Sequence, residues 1–272
     1  MRDALDSAVV AITASGSSTP RLDAELLLAE ALGVSRTALV LDPRCEVAGP
    51  AARAFQELVR RRSREREPVA YLLGRRAFRH LELAVDRRVL VPRPETELLV
   101  EVGLELPRGA RVADVGTGSG AVALALKHER PDLEVVATDV SADALAVARA
   151  NAARLGLDVA FVHGDLLAAV EGPLDAVLSN PPYVAEGQRA ALAPDVVRHE
   201  PPGALFAGPD GLDVIARLVP QAAARAPLAA LEVGEGQAAR VVTLLREAGL
   251  GEVDARRDLA GIERVVVGRR AA

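Results

Sequence analysis

Four consecutive residues, Asn180-Pro181-Pro182-Tyr183, combine a side-chain amide, two backbone positions without a donor and an aromatic ring. Adjacent prolines stiffen the loop, so the carbonyls of Pro181 and its neighbour keep a fixed direction. Asn180 offers an acceptor and a donor, and Tyr183 offers a planar face. Such a set suits the holding of a planar –NH₂ group, whose lone pair is delocalised and poorly nucleophilic. If the Asn180 carbonyl and the Pro181 backbone carbonyl each accept one N–H, the nitrogen is fixed. Positive charge developing on it then meets preorganised dipoles. The lone pair can be aimed in line at an electrophilic methyl, and positioning of this kind supplies up to about 7–11 kcal/mol. No strong general base is required, because the nitrogen becomes acidic only as it is alkylated. The bland alternative is a rigid loop with a capping Asn.

A second cluster is Asp114-Val115-Gly116-Thr117-Gly118-Ser119-Gly120, which follows an apolar strand and opens a helix. Glycines there let the backbone approach a ligand closely and allow positive φ in the turn. The spacing is G-x-G-x-G, not the dinucleotide pattern G-x-G-x-x-G. Asp139 ends the next strand, 23 residues after the first glycine. A carboxylate there can accept hydrogen bonds from both hydroxyls of a ribose. Asp114 is placed to meet an ammonium and would repel a pyrophosphate, which favours an adenosyl amino acid over a dinucleotide.

The elements that must position these residues fall into two halves. Residues 1–75 read as a small helical bundle. Leu5, Val9 and Ile12 share one face, Leu22, Leu26 and Ala29 a second, and Phe55, Leu58 and Val59 a third. Ser18 and Thr19 before Pro20 mark a helix start. Arg60, Arg61, Arg62, Arg64 and Arg66 are expected outward, as a solvated face or a docking surface for an acidic partner. Residues 76–93 switch to period two around Asp86-Arg87-Arg88 and read as a hairpin linker. From residue 94 to 272, strands and helices alternate, with strands at Arg111–Val115, Leu133–Thr138, Val159–His163, Leu174–Ser179 and Leu228–Val233. Two last strands without a helix between them complete a seven-stranded sheet. The fold class is α/β, a doubly wound sheet carrying both motifs at its C-terminal edge.

Composition narrows the function. The chain has 272 residues and a formal net charge of −5, with six aromatics and no Trp. Extensive gripping of a phosphate backbone and serial base stacking are therefore disfavoured. Cys45 is alone and precludes an intrachain disulfide, and His80, His128, His163 and His199 lack ligand spacing, so no metal is expected. Neither a signal peptide nor a membrane-spanning apolar run is legible, which leads us to expect a cytoplasmic protein.

Together the glycine loop, Asp139 and Asn180-Pro-Pro-Tyr183 resemble a class I S-adenosylmethionine-dependent methyltransferase acting on amino groups. Val91-Pro-Arg93-Pro-Glu95-Thr96-Glu97, Pro68-Val-Ala-Tyr71-Leu-Leu-Gly74, Glu200-Pro201 and Gly208-Pro-Asp-Gly211 extend the resemblance to the PrmC/HemK family over nearly the whole chain. That family methylates the glutamine of the Gly-Gly-Gln motif in peptide-chain release factors. The resemblance implies a Rossmann-like methyltransferase sheet and S-adenosyl-L-methionine as cofactor. It implies that Gly116, Thr117, Gly118, Ser119 and Gly120 cradle the methionine portion and that Asp139 holds the ribose. Asp165 and Leu166 would flank the adenine. Asn180, Pro181, Pro182 and Tyr183 would grip the glutamine amide. Many relatives carry an aromatic at the place of Leu166, so adenine would lie against an aliphatic face here. Arg93 and Glu95 would shape the entrance, or form a hinge salt bridge or a helix start at Pro94. The expected partners are release factors, recognised by the N-terminal helices, with no stable nucleic-acid or membrane binding and a monomeric enzyme. Two other readings stand beside this one: an adenine-N6 methyltransferase acting on DNA or RNA, and a non-catalytic adenosyl-ligand sensor.

Overall fold

The computed structural model describes residues 1–41 and 45–271; Pro43 and Arg44, beside Cys45, lie outside the described residues. The chain divides into two compact units, residues 1–75 with 192–199, and residues 76–191 with the chain from 200 onward. Among the described residues no helix is long and apolar enough to cross a membrane.

The first unit is helical. It comprises α1 (Arg2–Ala14), α2 (Pro20–Leu32), α3 (Arg36–Leu41), α4 (Gly49–Arg60), α5 (Val69–Leu73) and the later helix Pro194–His199. Helix α2 packs against α1 and α4. Its buried face is Ala24, Leu27, Leu28 and Ala29, not the expected Leu22 and Leu26; Leu22 is exposed. Leu5, Ile12, Leu27, Leu28 and Phe55 make the core, each such burial stabilising by about 1.5–3 kcal/mol. Thr19 precedes α2 as expected, with Pro20 in the first turn, but makes no side-chain cap. Its hydroxyl instead donates to Asp23 Oδ1 at 3.0 Å.

The arginine run departs from expectation. After Arg60 the helix widens into a π-helical turn, Arg61–Glu65. That turn changes the angular phase of the residues following it. Arg62, within this turn, is buried rather than solvated, its Nε donating to Asp23 Oδ2 at 2.9 Å. It also reaches Asp195 Oδ2 at 3.4 Å, while Arg66 reaches Asp195 Oδ1 at 3.4 Å. His199 Nε2 meets the Glu65 carbonyl at 2.7 Å. Residues 192–199 are thus fastened to the helical unit by charge and hydrogen bonding.

A two-stranded piece, β1 (Arg75–Phe78) and β2 (Leu81–Ala84), begins at the last residue of the first unit and turns at Arg79-His80. The sequence placed this turn at Asp86–Arg88. Val85, Val89 and Val91 are buried without forming a strand, so their alternation reflects burial, not pairing. The main sheet contains β3 (Arg111–Val115), β4 (Glu134–Asp139), β5 (Ala160–His163), β6 (Ala176–Ser179), β7 (Leu228–Glu232), β8 (Glu252–Arg257) and β9 (Glu263–Arg269). Its order is β5-β4-β3-β6-β7-β9-β8, parallel except for β9, which is antiparallel to β7 and β8. Alternate strand residues enter opposite layers: Val112, Ala176 and Leu178 pack on one face, Ala113, Val115 and Val177 on the other. The first layer contains α6 (Glu97–Leu104) and α7 (Ala121–Glu129), followed in the chain by α8 (Ala142–Leu155). The second contains helices Asp213–Arg225 and Ala238–Glu247. The helix start that the sequence offered as an alternative at Pro94 is present as a short helical turn, Pro94–Thr96, leading into α6, whereas the short helices between residues 186 and 204 were not anticipated.

Replacing Arg62 by Leu strands the buried Asp23 carboxylate, and a loss of about 3–5 kcal/mol is expected. Urea denaturation checks this. A clearly smaller loss in the Arg62→Leu/Asp23→Leu pair identifies the unpaired charge as the cause.

Candidate active site

The parallel register places Val115 opposite Thr138 of β4 on one side and Ser179 of β6 on the other. The loops after these three strands therefore leave the sheet together. They enclose a cavity of about 490 Å³, within the usual range for a small-molecule site.

Backbone hydrogen bonds hold the glycine loop in place. Gly116 N and Thr117 N both donate to the Thr138 carbonyl, at 2.8 and 3.0 Å. Gly116 and Gly118 have φ of +74° and +56°, values that disfavour any side chain. A Cβ on Gly118 would meet nothing within 4 Å, so the loop's backbone faces open space there. Asp139 Oδ2 accepts from Gly118 N and Oδ1 from Ser141 N, each at 2.9 Å. Both oxygens are carboxylate acceptors with further lone pairs for a ligand.

Asp114 lies beneath the loop and is buried. Its Oδ2 accepts from Thr117 Oγ1 at 2.6 Å and from Ala123 N at 3.1 Å. Burial nevertheless pushes the carboxyl up to about 6, with the Asp139 charge adding to the effect. A cation arriving in the cavity would relieve that penalty.

Residues 114, 116–119, 139, 165, 166 and 180–182 all line this cavity. Asp165 also pairs with Arg217 on the same rim. Leu166 takes φ of +55°, a left-handed conformation that costs a non-glycine residue about 1–2 kcal/mol. Its carbonyl accepts from Thr138 Oγ1 at 2.9 Å. Gly120 does not line the cavity; it precedes α7 at φ +86°, and a Cβ there would lie 2.8 Å from Leu124 Cδ1. Arg93 is bound to the buried Glu200 at 2.7 Å, which is the salt-bridge role.

Asn180 Nδ2 donates to Thr96 Oγ1 at 3.0 Å, which turns Oδ1 away from Thr96 as the remaining acceptor. Tyr183 stands outside the cavity lining, its hydroxyl donating to Glu232 Oε1 at 3.3 Å. The ring is directed into the wall behind the loop and packs with the second core layer. Gln237 Nε2 holds the Tyr183 carbonyl at 2.9 Å. Gly211, at φ +77°, lies so close that a Cβ would sit 2.2 Å from that carbonyl. The tetrapeptide is therefore clamped from behind.

Sequence reasoning passed over Thr96 as a chemical group and Glu232 altogether. The available signal was a lone carboxylate ending the apolar strand β7. Glu232 is 1% exposed, and burial pushes it up to about 7.

Residues 3–74 match the PrmC N-terminal domain and residues 94–204 the Methyltransferase small domain. A release factor glutamine methyltransferase of Deinococcus radiodurans is 46% identical, covering 100% of this chain and 99% of its own. The chain belongs to the release factor glutamine methyltransferase family. A relative of the same name from Mycolicibacterium smegmatis is 42% identical over 100% of this chain and 98% of its own. Among solved structures, a methyltransferase from Pyrococcus furiosus shares the fold, with TM-score 0.53 and 19% identity over 71% of this chain and 90% of that one.

The Asp114 carboxyl gives a signed stability prediction. Its folded-state value, about 6, exceeds the ordinary 3.8. Its contribution to stability is complete below pH 3.8 and is lost as pH rises through 6. Asp114→Asn keeps an acceptor for Thr117 and Ala123 and removes the ionisation. The unliganded variant should be more stable than the parent at pH 8 by about 2–3 kcal/mol, the advantage disappearing in acid. Denaturation at the two pH values checks it.

Proposed function

We propose that this chain transfers a methyl group from S-adenosylmethionine to the side-chain nitrogen N5 of the glutamine in the Gly-Gly-Gln motif of peptide-chain release factors. The carrying observation is Asn180. Its nitrogen is engaged by Thr96, so its oxygen is the end offered to an incoming –NH₂, beside the glycine loop. Full-length similarity to release factor glutamine methyltransferases supports the substrate assignment.

The cavity fits the methyl donor. A positive-φ glycine loop offers open backbone, Asp139 offers two acceptors for ribose hydroxyls, and the buried Asp114 favours a nearby positive charge. Asp165 and Leu166 are assigned to the adenine, against an aliphatic wall. S-adenosylmethionine supplies, when bound, an electrophilic methyl carbon on positively charged sulfur.

Asn180 Oδ1 and the Pro181 carbonyl each accept one hydrogen of the glutamine amide and aim its lone pair toward that carbon. Pro182 keeps the loop rigid, and Tyr183 anchors it through Glu232. With the donor bound, the amide nitrogen held by Asn180 and Pro181 would gain the methyl carbon in exchange for that carbon's bond to sulfur. The amide N–H proton, made acidic by alkylation, leaves to water. Oriented acceptors contribute because charge appears on the nitrogen only in the transition state.

Residues 1–75 are assigned to recognise the body of the release factor, 76–93 to link, and 94–272 to carry out the transfer. A glutamine on a flexible loop offers little specificity by itself. We read the enzyme as a monomer acting in the cytoplasm, where release factors work.

Mass spectrometry of co-expressed release factor should find one added methyl on the Gly-Gly-Gln peptide. Label from the donor appearing in nucleic acid and absent from release factor would instead support the adenine-N6 reading, and donor binding without any product the sensor. Asn180→Ala should lower kcat by about 100-fold or more while donor affinity changes little. An unchanged kcat would remove the clamp from the mechanism.

A further inference from the structure

Among the described residues that line the cavity there is no aromatic ring. A flat heterocycle bound there must cover its π faces with other surfaces. Strands β4 and β5 pair through Asp139 and His163, so residues 140 and 164–166 leave the sheet side by side. Val140, which is 70% exposed, and Leu166 give this end of the cavity apolar walls.

A further wall comes from the helix Asp213–Arg225. Arg217, Gln221 and Arg225 follow one another at four-residue spacing and share one face of it. Gln221 Oε1 accepts from Leu167 N at 3.3 Å, and Arg225 Nη2 donates to the Gly172 carbonyl at 2.8 Å. That face is thereby stitched along the loop after β5. Arg217 stands at the cavity end of the row and lines the cavity together with Val214. Its Nη2 donates to Asp165 Oδ2.

The two side chains of this ion pair are 56% and 54% exposed, and pairs so exposed contribute little to a fold. What the pair does is fix a plane. A guanidinium carries its N–H groups in its own plane, so a carboxylate met through Nη2 occupies an edge and leaves both faces open. Such faces are weakly hydrated and stack on aromatic rings. Asp165 also offsets the charge of Arg217. The methyl donor bears an ammonium, a sulfonium and a single carboxylate, and an arginine without that offset would repel it.

We propose that Arg217 is a donor-binding residue whose guanidinium, held by Asp165, stacks on the adenine of S-adenosylmethionine where no aromatic ring is present to do so. The proposal rests on the assignment of Asp165 and Leu166 to the adenine. Arg88 also lines the cavity, but it is held by Asp86 through Nε at 2.9 Å and Nη2 at 2.6 Å. Among the described hydrogen bonds none ties Arg88 to the loop after β5.

The test is calorimetric titration of the full-length protein with two ligands. One is S-adenosylhomocysteine, the demethylated donor; the other is methylthioadenosine, which keeps the nucleoside and lacks the amino-acid end. Arg217→Ala should weaken both by about 10-fold. Unaltered affinities overturn the proposal, and so does a loss confined to S-adenosylhomocysteine, which would place the contact away from the nucleoside.

Two more variants separate stacking from the ion pair. Arg217→Phe keeps a flat face but cannot hold Asp165, and binding of both ligands should recover most of the loss. Arg217→Lys can hold Asp165 but has no plane, and it should recover little. Failure of Arg217→Phe to restore binding overturns stacking, whatever Arg217→Lys does. The position is exposed, so urea midpoints should stay at the parent value and show that the variants fold. A parent protein that binds neither ligand refutes the donor reading and this proposal together. Binding without methylation of release factor refutes the proposed substrate alone, and the same titrations still decide the role of Arg217.

Discussion

In the parallel pairing of β3 with β6, Val115 lies opposite Ser179, and the Ser179 hydroxyl donates to the Val115 carbonyl at 2.7 Å. One residue later each strand gives way to a loop, so Gly116 and Asn180 leave the sheet at the same height. A Cβ on Gly116 would come within 3.8 Å of the Asn180 carbonyl oxygen. On the other flank Thr138 of β4 completes the row and ties the glycine turn down through its carbonyl. A slip of one residue in this register would exchange the two faces of every strand concerned. The layers of core on both sides of the sheet therefore make the slip prohibitively unfavourable, and the separation of the two loops follows from that.

Two carboxyl groups, Asp114 and Glu232, are buried in this region with ionisation pushed upward, each mainly by loss of solvent. Neither has a basic side chain in direct hydrogen-bonded contact among the described pairs. Such groups destabilise the unliganded fold, and their persistence at a cavity wall and behind a loop fits a preorganised polar environment. The left-handed backbone at Leu166 adds a smaller strain in the same place. Rigid support comes from outside the reacting surface: Gln237 and Gly211 brace the Tyr183 carbonyl, and Tyr183 braces Glu232.

Much of this was legible in the sequence because the informative residues are contiguous. Asp114 to Ser119 and Asn180 to Pro182 each announce a strand end and a loop with special backbone chemistry, and Asp139 follows at the next strand end. The seven strands of the main sheet were readable from apolar runs bounded by turn residues. The failures have physical causes. Thr96 meets Asn180, and Glu232 meets Tyr183, only across long stretches of chain, so no local pattern joins either pair. Arg62 looked solvated because its neighbours are charged, but it lies in a π-helical turn and is buried against Asp23. Val85, Val89 and Val91 alternate like a strand yet are buried as irregular chain. Tyr183 presents an aromatic ring in the motif, yet its hydroxyl directs it toward Glu232 and away from the cavity.

The grouping of residues 192–199 with the helical unit has a topological consequence. The polypeptide passes from one unit to the other near residue 75, again after 191, and once more after 199. The helical unit is thus assembled from discontinuous pieces of chain and is not a detachable bead on a string. Severing the backbone at a single junction leaves the two units covalently joined elsewhere. During synthesis the helical bundle emerges first but waits for more than a hundred further residues before Asp195 arrives to neutralise Arg62 and Arg66. The main-sheet strands made in the meantime are β3 to β6, the parallel half of the sheet that ends with the loop after Ser179.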